Sequence, residues 1–273
     1  MNLPYLTPER LQAFIQSALI EDVGDGDHST LASVPSDTQK KAHLLVKGEG
    51  ILAGVTLAEQ IFSDVDERLT IDVSIADGTE VQFGDIAFVV SGKAQSILTA
   101  ERLVLNCMQR MSGIATYTHR LQSMIAHTSA KLLDTRKTTP NFRLPEKWSV
   151  AMGGGQNHRY ALYDMIMLKD NHIDYAGGIR KAVESTHRYL NEKQLDLSIE
   201  VETRNLEEVR EVLSVGGVDV IMLDNMSPET MREAVKMIGD QAKTEASGNI
   251  NEKTIVAVAE CGVDYISVGA LTH

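Results

Sequence analysis

Cysteine is nearly missing from this 273-residue chain: only Cys107 and Cys261 occur, far apart and both in helix-like text. Such a pair builds neither a disulfide framework nor a four-ligand zinc site. Aromatic residues are scarce as well, at 5%, although the apolar share of 43% is ordinary for a globular protein with a sizeable core. No apolar run approaches the roughly 18 residues that a membrane span needs. The opening stretch, Met1 to Leu6, lacks the basic flank and apolar segment of a secretory leader. A cytoplasmic location is the resulting expectation. Basic charge is in deficit too: 26 Lys and Arg stand against 38 Asp and Glu, a formal net charge of −12. That balance repels nucleic acid and anionic lipid, which excludes a general role on either. It also gives weight to any local gathering of cations, because a bound anion would explain one.

The text changes character once along the chain. Thr7-Pro8 reads as a helix start, followed by Leu11, Phe14, Ile15, Ala18 and Leu19 at helical spacing. A Gly/Asp-rich turn follows at Gly24 to Asp27. Strand-like runs at Leu44–Val46, Leu69–Ile75 and Ile86–Val90 come next, with a short helix at Thr56–Phe62 and a longer one at Leu98–Met111. Beyond Gly113 the pattern becomes strand, loop, helix, repeated. Strands are predicted at Lys131–Asp134, Met165–Lys169, Leu197–Glu202, Asp219–Leu223, Ala242–Ala246 and Asp264–Val268. Helices are predicted at Gly178–Leu190, Leu206–Val215, Glu229–Ile238 and Glu252–Cys261. Alternating βα units imply a parallel sheet covered by helices. The expected architecture is an N-terminal α+β domain over residues 1–112, then an incomplete α/β barrel over residues 113–273.

Chemistry gathers where the predicted strands end. The first runs into Thr135, Arg136 and Lys137, and the second into Lys169-Asp170-Asn171-His172. Glu200 and Glu202 share one face of the third, since side chains alternate along a strand. Asp224 closes the fourth, Ser247-Gly248-Asn249 the fifth, and Gly269-Ala270 the sixth. In barrels, active sites form at the C-terminal strand ends, and the last two units often make a phosphate site from backbone N–H groups. His158-Arg159 follow three glycines, Gly153 to Gly155, which suit a mobile or closely approaching backbone. Arg136, Arg159, His158 and Lys169 together suit a substrate with two carboxylates, because the arginine fork donates two parallel hydrogen bonds. Glu202 and Asp224 suit Mg²⁺, held directly or through water; the competing role for them is ion pairing with Lys169 or Lys137. Periodicity does not separate Glu200 from Glu202. The run Asp22, Asp25, Asp27 lacks the spacing of a calcium loop and reads as a turn.

These motifs, in this order, resemble the nicotinate-nucleotide pyrophosphorylase (carboxylating) family, also called quinolinate phosphoribosyltransferase. The likeness lies in Glu101-Arg102 with Leu105-Asn106, Asp134 to Pro140 (DTRKTTP), Gly153 to Arg159 (GGGQNHR) and Leu168 to Ile173 (LKDNHI). It continues in Glu200 to Glu202, Leu223 to Asn225, Ala246 to Gly248 and Val268 to His273, so it covers nearly the whole chain. The resemblance implies an α+β sandwich domain ahead of an open α/β barrel of the type II phosphoribosyltransferase kind, working as a cytoplasmic homodimer with Mg²⁺. It implies transfer of phosphoribosyl from phosphoribosyl pyrophosphate to quinolinate with decarboxylation, a step of de novo NAD biosynthesis. Quinolinate would be held by Thr135, Arg136, Lys137, His158, Arg159 and Lys169, with Arg102 reaching in from the neighbouring subunit. Phosphoribosyl pyrophosphate would lie against Lys137, Glu202, Asp224, Ser247, Gly248, Asn249, Gly269, Ala270 and His273. Lys137, Lys169, Glu202 and Asp224 would act in catalysis. This chain departs from the family's usual glycines at Asn141 and Asn249, and has Ala161-Leu162 where a Gly-Leu pair is usual. Three rival readings share these residues. One is a paralogue acting on another aromatic acid or serving molybdenum uptake. The second is a lyase forming a Schiff base through Lys169. The third is a non-enzymatic phosphate-ligand sensor.

Overall fold

The computed structural model describes residues 3–273. Met1 and Asn2, which open the stretch read above as lacking a leader, lie outside the described residues. The chain forms two compact units: one holds the residues to His119 with Thr138–Gly154 and Thr272, the other Arg120–Lys137, Gly155–Leu271 and His273.

In the first unit, α1 (Pro8–Val23) starts as its sequence predicts, with the Thr7 hydroxyl accepting from the Arg10 N–H and proline in the first turn. The acidic turn after it caps a short helix, α2 (His28–Ser33), through Asp27, whose carboxylate accepts from the Thr30 N–H at 3.1 Å. Next come β1 (Gln39–Leu45), β2 (Gly50–Ile51), α3 (Val55–Val65), β3 (Thr70–Val73), β4 (Glu80–Val81) and β5 (Ile86–Lys93). β1, β5 and β3 form an antiparallel sheet with β5 central, and β2 pairs with β4. α4 (Ala94–Met124) is 31 residues long and runs straight through Gly113. One internal glycine costs only about 1 kcal/mol, and the buried stripe Val104, Met108, Met111, Ala115 continues across it. The expected boundary near Gly113 therefore falls inside a helix.

A second segment belongs to this unit for an electrostatic reason. In α5 (Arg143–Met152), Glu146 is fully buried and accepts from Arg110 Nη2 at 2.8 Å and from the Thr139 N–H and hydroxyl, each at 2.9 Å. A buried carboxylate needs such partners, and they tie Thr139 and α5 back to α4. Gly153 follows, where any Cβ would overlap the Ala115 carbonyl and Thr118. The glycine run is thus a place of close backbone approach.

In the second unit, β6 (Lys131–Leu133), β7 (Ile166–Leu168), β8 (Ile199–Thr203), β9 (Val220–Asp224), β10 (Lys243–Ser247) and β11 (Tyr265–Ser267) form one parallel sheet in the order β6-β11-β10-β9-β8-β7. The helices are α6 (Asp170–Ala176), α7 (Ile179–Lys193), α8 (Leu206–Val215), α9 (Pro228–Ile238) and α10 (Ile255–Ala259). Among the described residues the sheet has six strands, and its end strands β6 and β7 do not pair with each other, which makes the barrel open; Gln156 bridges the outer edge of β6 at Leu133. Alternation along the strands sorts side chains into two sets. Ile199, Val201, Ile221, Leu223 and Ile266 are buried apolar residues, while the positions between them carry Glu200, Glu202, Met222, Asp224 and Ser267.

Candidate active site

A cavity of about 690 Å³ opens at the C-terminal ends of these strands. The alternation that builds the core also builds the cavity wall. Met167 and Lys169 line it from β7 and its end, Met222 and Asp224 from β9, and Glu245 and Ser247 from β10, each pair two residues apart. Glu202 from β8 and Ser267 from β11 complete the ring. Register places Ser247 beside Asp224 and Glu202 beside Met222, so the acids and the serine open at one mouth. Every residue expected to bind substrate or act in catalysis lines this cavity except Arg102, and Glu200, the alternative to Glu202, does not line it. That arginine is an exposed residue of α4 in the first unit.

One side of the cavity is cationic. Thr135 Oγ1 accepts from the Lys137 N–H at 3.0 Å, which turns the chain so that Thr135, Arg136 and Lys137 all reach the wall. Asp134, fully buried at the end of β6, accepts from Asn157 Nδ2 at 2.6 Å and from the His158 N–H at 2.9 Å. It anchors the segment that carries Arg159. Burial, and then the neighbouring charge of Arg136, push the Arg159 guanidinium below its ordinary pKa. Arg136 Nε is buried without a hydrogen-bond partner. Two guanidiniums held together with unspent donors form a site for an anion. Lys169 caps α6: its backbone N–H donates to His172 Nδ1 at 2.9 Å, which fixes where the strand ends.

Acids and loops make up the rest of the lining. Burial raises the pKa of Glu202, and the charge of Asp224 raises it further, while Lys169 pulls it back. Gly248 sits at φ +97°, where a Cβ would run into the Asn225 side chain. Asn225 and Asn249 both adopt left-handed backbone at φ 52°, which asparagine tolerates better than most residues. Asn249 Nδ2 donates to Asn225 Oδ1 at 3.0 Å, and Asn225 Nδ2 donates to Asp224 Oδ2 at 2.7 Å. At Asn249 the backbone thus adopts the left-handed conformation that glycine favours. A Cβ on Gly269 would lie 3.1 Å from His273 Nε2 and 3.3 Å from Lys137 Cδ. Both side chains therefore lie over a short 3₁₀ turn, Gly269–Leu271.

His158 differs from its expectation in one respect. Its Nδ1 accepts the Arg159 N–H at 2.8 Å, and its Nε2 lies 2.8 Å from Glu200 Oε2 and 3.5 Å from Glu245 Oε2. Both ring nitrogens are engaged within the protein. Glu200 is fully buried beneath the acids of the rim, which separates it from Glu202 where periodicity did not. Glu245 escapes sequence reasoning. The available signal is an acid inside a predicted strand, two residues before a serine that faces the cavity.

The fold and site define an α/β-barrel protein whose strand ends gather paired cations, carboxylates and glycine loops around one cavity. Family models described as the quinolinate phosphoribosyl transferase N-terminal and C-terminal domains match residues 27–112 and 114–273. The chain is 48% identical over 278 residues to quinolinate phosphoribosyltransferase [decarboxylating] 1b of Nicotiana tabacum, covering 96% of this chain and 79% of that protein. The solved structure of NadC from Streptococcus pyogenes superposes with a TM-score of 0.92 at 40% identity, over 98% of this chain and 93% of that one. The nicotinate-nucleotide pyrophosphorylase structure from Francisella tularensis gives a TM-score of 0.91 at 37% identity, over 100% and 95%. This chain belongs to the quinolinate phosphoribosyltransferase family.

Proposed function

We propose that the chain transfers the phosphoribosyl group of phosphoribosyl pyrophosphate to quinolinate, releasing pyrophosphate and CO2 and leaving nicotinate mononucleotide. The observation that carries this reading is the cavity's mixed lining: paired guanidiniums and Lys169 share one cavity with two carboxylates and a glycine loop. Arg136 and Arg159, with Lys169, take the carboxylates of the aromatic acid. Ser247, Gly248, Asn249, Gly269 and Ala270 offer backbone N–H groups to phosphate, with Lys137 and His273 above them. The quinolinate nitrogen then faces the anomeric carbon. A nitrogen–carbon bond forms as the carbon–oxygen bond to pyrophosphate breaks, and its electron pair leaves with pyrophosphate. The sugar carries positive charge during this step, and Glu202 and Asp224 stabilise it. With the nitrogen quaternary, the bond to the adjacent carboxylate breaks and releases CO2. Its electron pair stays on the ring carbon, which takes up a proton. Fixing both anions supplies most of the acceleration.

Glu202 and Asp224 are also the fitting holders for magnesium. Two hard carboxylates, with the charge of Asp224 raising the cost of ionising Glu202, would suit a divalent cation. When bound, the ion would neutralise the leaving pyrophosphate. Lys169 serves as a charge partner, since it bears on Glu200 and Glu202, and the Schiff-base role has no support in this geometry. We assign Arg102 to the cavity of a second copy, because it is exposed on α4 and does not line its own chain's cavity. We also infer a reducing compartment such as the cytoplasm, since Cys107 and Cys261 are buried free thiols. Among the described residues no helix is long and apolar enough to cross a membrane.

Incubation with magnesium, phosphoribosyl pyrophosphate and quinolinate should yield nicotinate mononucleotide. Turnover of nicotinate in place of quinolinate, or of neither acid, would refute the assignment.

A further inference from the structure

Two acids that the reaction does not use sit at and behind the cavity wall: Glu245 lines it and Glu200 does not. Glu200 and Glu245 come from β8 and β10, on either side of β9, and both are almost wholly buried. Each has one carboxylate oxygen, Oε1, without a hydrogen-bond partner. One carboxylate oxygen of each lies within 4.8 Å of one of the other and of a His158 ring nitrogen. Two buried carboxylates this close present acceptor to acceptor, with no donor between them. A buried oxygen left in that state costs about 1–3 kcal/mol, and a charged one more. A single proton on one acid gives that acid a donor and its neighbour a partner.

His158 decides which acid is better compensated as an anion. A backbone N–H can only donate, so the lone pair of His158 must be on Nδ1, toward Arg159, and the ring proton on Nε2. That proton points at Glu200 Oε2, 2.8 Å away, whereas Glu245 Oε2 is 3.5 Å away. Arg159 and Lys169 also act on Glu200 in the direction that favours its charge. The groups facing Glu245 are Glu200, His158 and the Ser267 hydroxyl. Burial, and then the charge of Glu200, push the Glu245 carboxyl up.

We propose that Glu245 is a proton-retaining positioning residue: as a neutral acid it donates to Glu200, which holds the His158 Nε2–H and so fixes the His158–Arg159 segment from beneath. The retained proton also limits the pair to one negative charge. Two would offset the Arg136 and Arg159 cations that the aromatic diacid needs. The effect on catalysis rests on the quinolinate reading; the protonation and the hydrogen-bond order do not.

Two variants and two spectroscopic readouts test this. Glu245→Gln keeps the shape and replaces the acid O–H with an amide N–H. Glu245→Met keeps the approximate volume and removes the donor. Met should raise the quinolinate KM about tenfold, the loss of one hydrogen bond to a charged group, with the phosphoribosyl pyrophosphate KM little changed. Gln should restore the quinolinate KM to within about threefold. Equal losses in Gln and Met would mean that the charge itself is needed, and would overturn the proposal. Thermal unfolding of both variants checks that each is folded. Independently of activity, the wild-type infrared spectrum at neutral pH should contain a protonated carboxylic acid band that shifts in D2O and is absent from Glu245→Gln. A spectrum without that band contradicts the proposal even if the enzyme turns over. So does a stoichiometric transition metal in the purified protein, since His158, Glu200 and Glu245 have ligand atoms within 4.8 Å of one another. If the band is present but no nicotinate mononucleotide forms, the functional reading fails while the proton assignment stands.

Discussion

Arg136 and Arg159 lie close enough for one to lower the pKa of the other, and Arg136 keeps a buried Nε without a partner. Like charges are held together at a cost, and an anion between them removes it. Arg136→Ala should therefore lower kcat/KM for quinolinate by about 30- to 100-fold, the equivalent of ~2–3 kcal/mol. The circular dichroism spectrum should stay that of the wild type, because the side chain packs no core. Glu245 gives a second prediction, on stability. Its carboxyl is pushed up from 4.5 to about 8, chiefly by burial. A folded-state pKa above the unfolded one favours the native state at low pH, and that stability drains away as pH rises from about 4.5 to about 8. Glu245→Gln removes this dependence, so its melting temperature should overtake that of wild type on going from pH 6 to pH 8.5. A constant difference between the two proteins across that range would show that Glu245 does not titrate there.

The strands carry the site, and their alternation made most of it legible in advance. Asp224 is readable because it ends the apolar run Val220–Leu223, and Glu202 and Ser247 because each stands at the end of a predicted strand, two residues after another inward position. α8 (Leu206–Val215) matches its predicted bounds because Asn205 caps it through the Glu208 N–H and glycine follows it. α5 was not legible: its residues are buried on polar as well as apolar positions, including Glu146 and Lys147, so no helical stripe appears. α6 (Asp170–Ala176) was hidden likewise, because its start is the very motif that reads as a catalytic loop. The shortness of α10 (Ile255–Ala259) has a local cause: Asn251 turns the chain first, accepting from the Lys253 N–H at 2.9 Å. At this scale Gly248 is the position to alter. Gly248→Ala puts a Cβ at φ +97° into the Asn225 side chain, a strain of about 1–3 kcal/mol. The KM for phosphoribosyl pyrophosphate should rise about tenfold or more, with a much smaller change for quinolinate. Equal changes in both would show that the loop does not serve the phosphate side selectively.

Across the whole molecule, a formal net charge of −12 contrasts with a cavity lined by Arg136, Lys137, Arg159 and Lys169. That contrast, legible in the basic residues at the predicted strand ends, fits the proposed anionic substrates. It left one thing unexplained: Arg102 carries a family motif yet lies outside its own chain's cavity. Complementation tests the second-copy assignment. Arg102→Ala and Arg136→Ala should each be nearly inactive alone, and mixing them under subunit exchange should restore activity in hybrids that keep one intact cavity. No recovery in hybrids of confirmed composition would place Arg102 outside the reaction. The claim beneath all of this is that one cavity holds both anions and carries out both bond changes. The direct measurement uses quinolinate labelled in the carboxyl group beside the ring nitrogen, and follows labelled CO2 and pyrophosphate together. Equal molar release of the two, absent without either substrate, is the predicted result. Pyrophosphate released while the label stays on the ring product would contradict it.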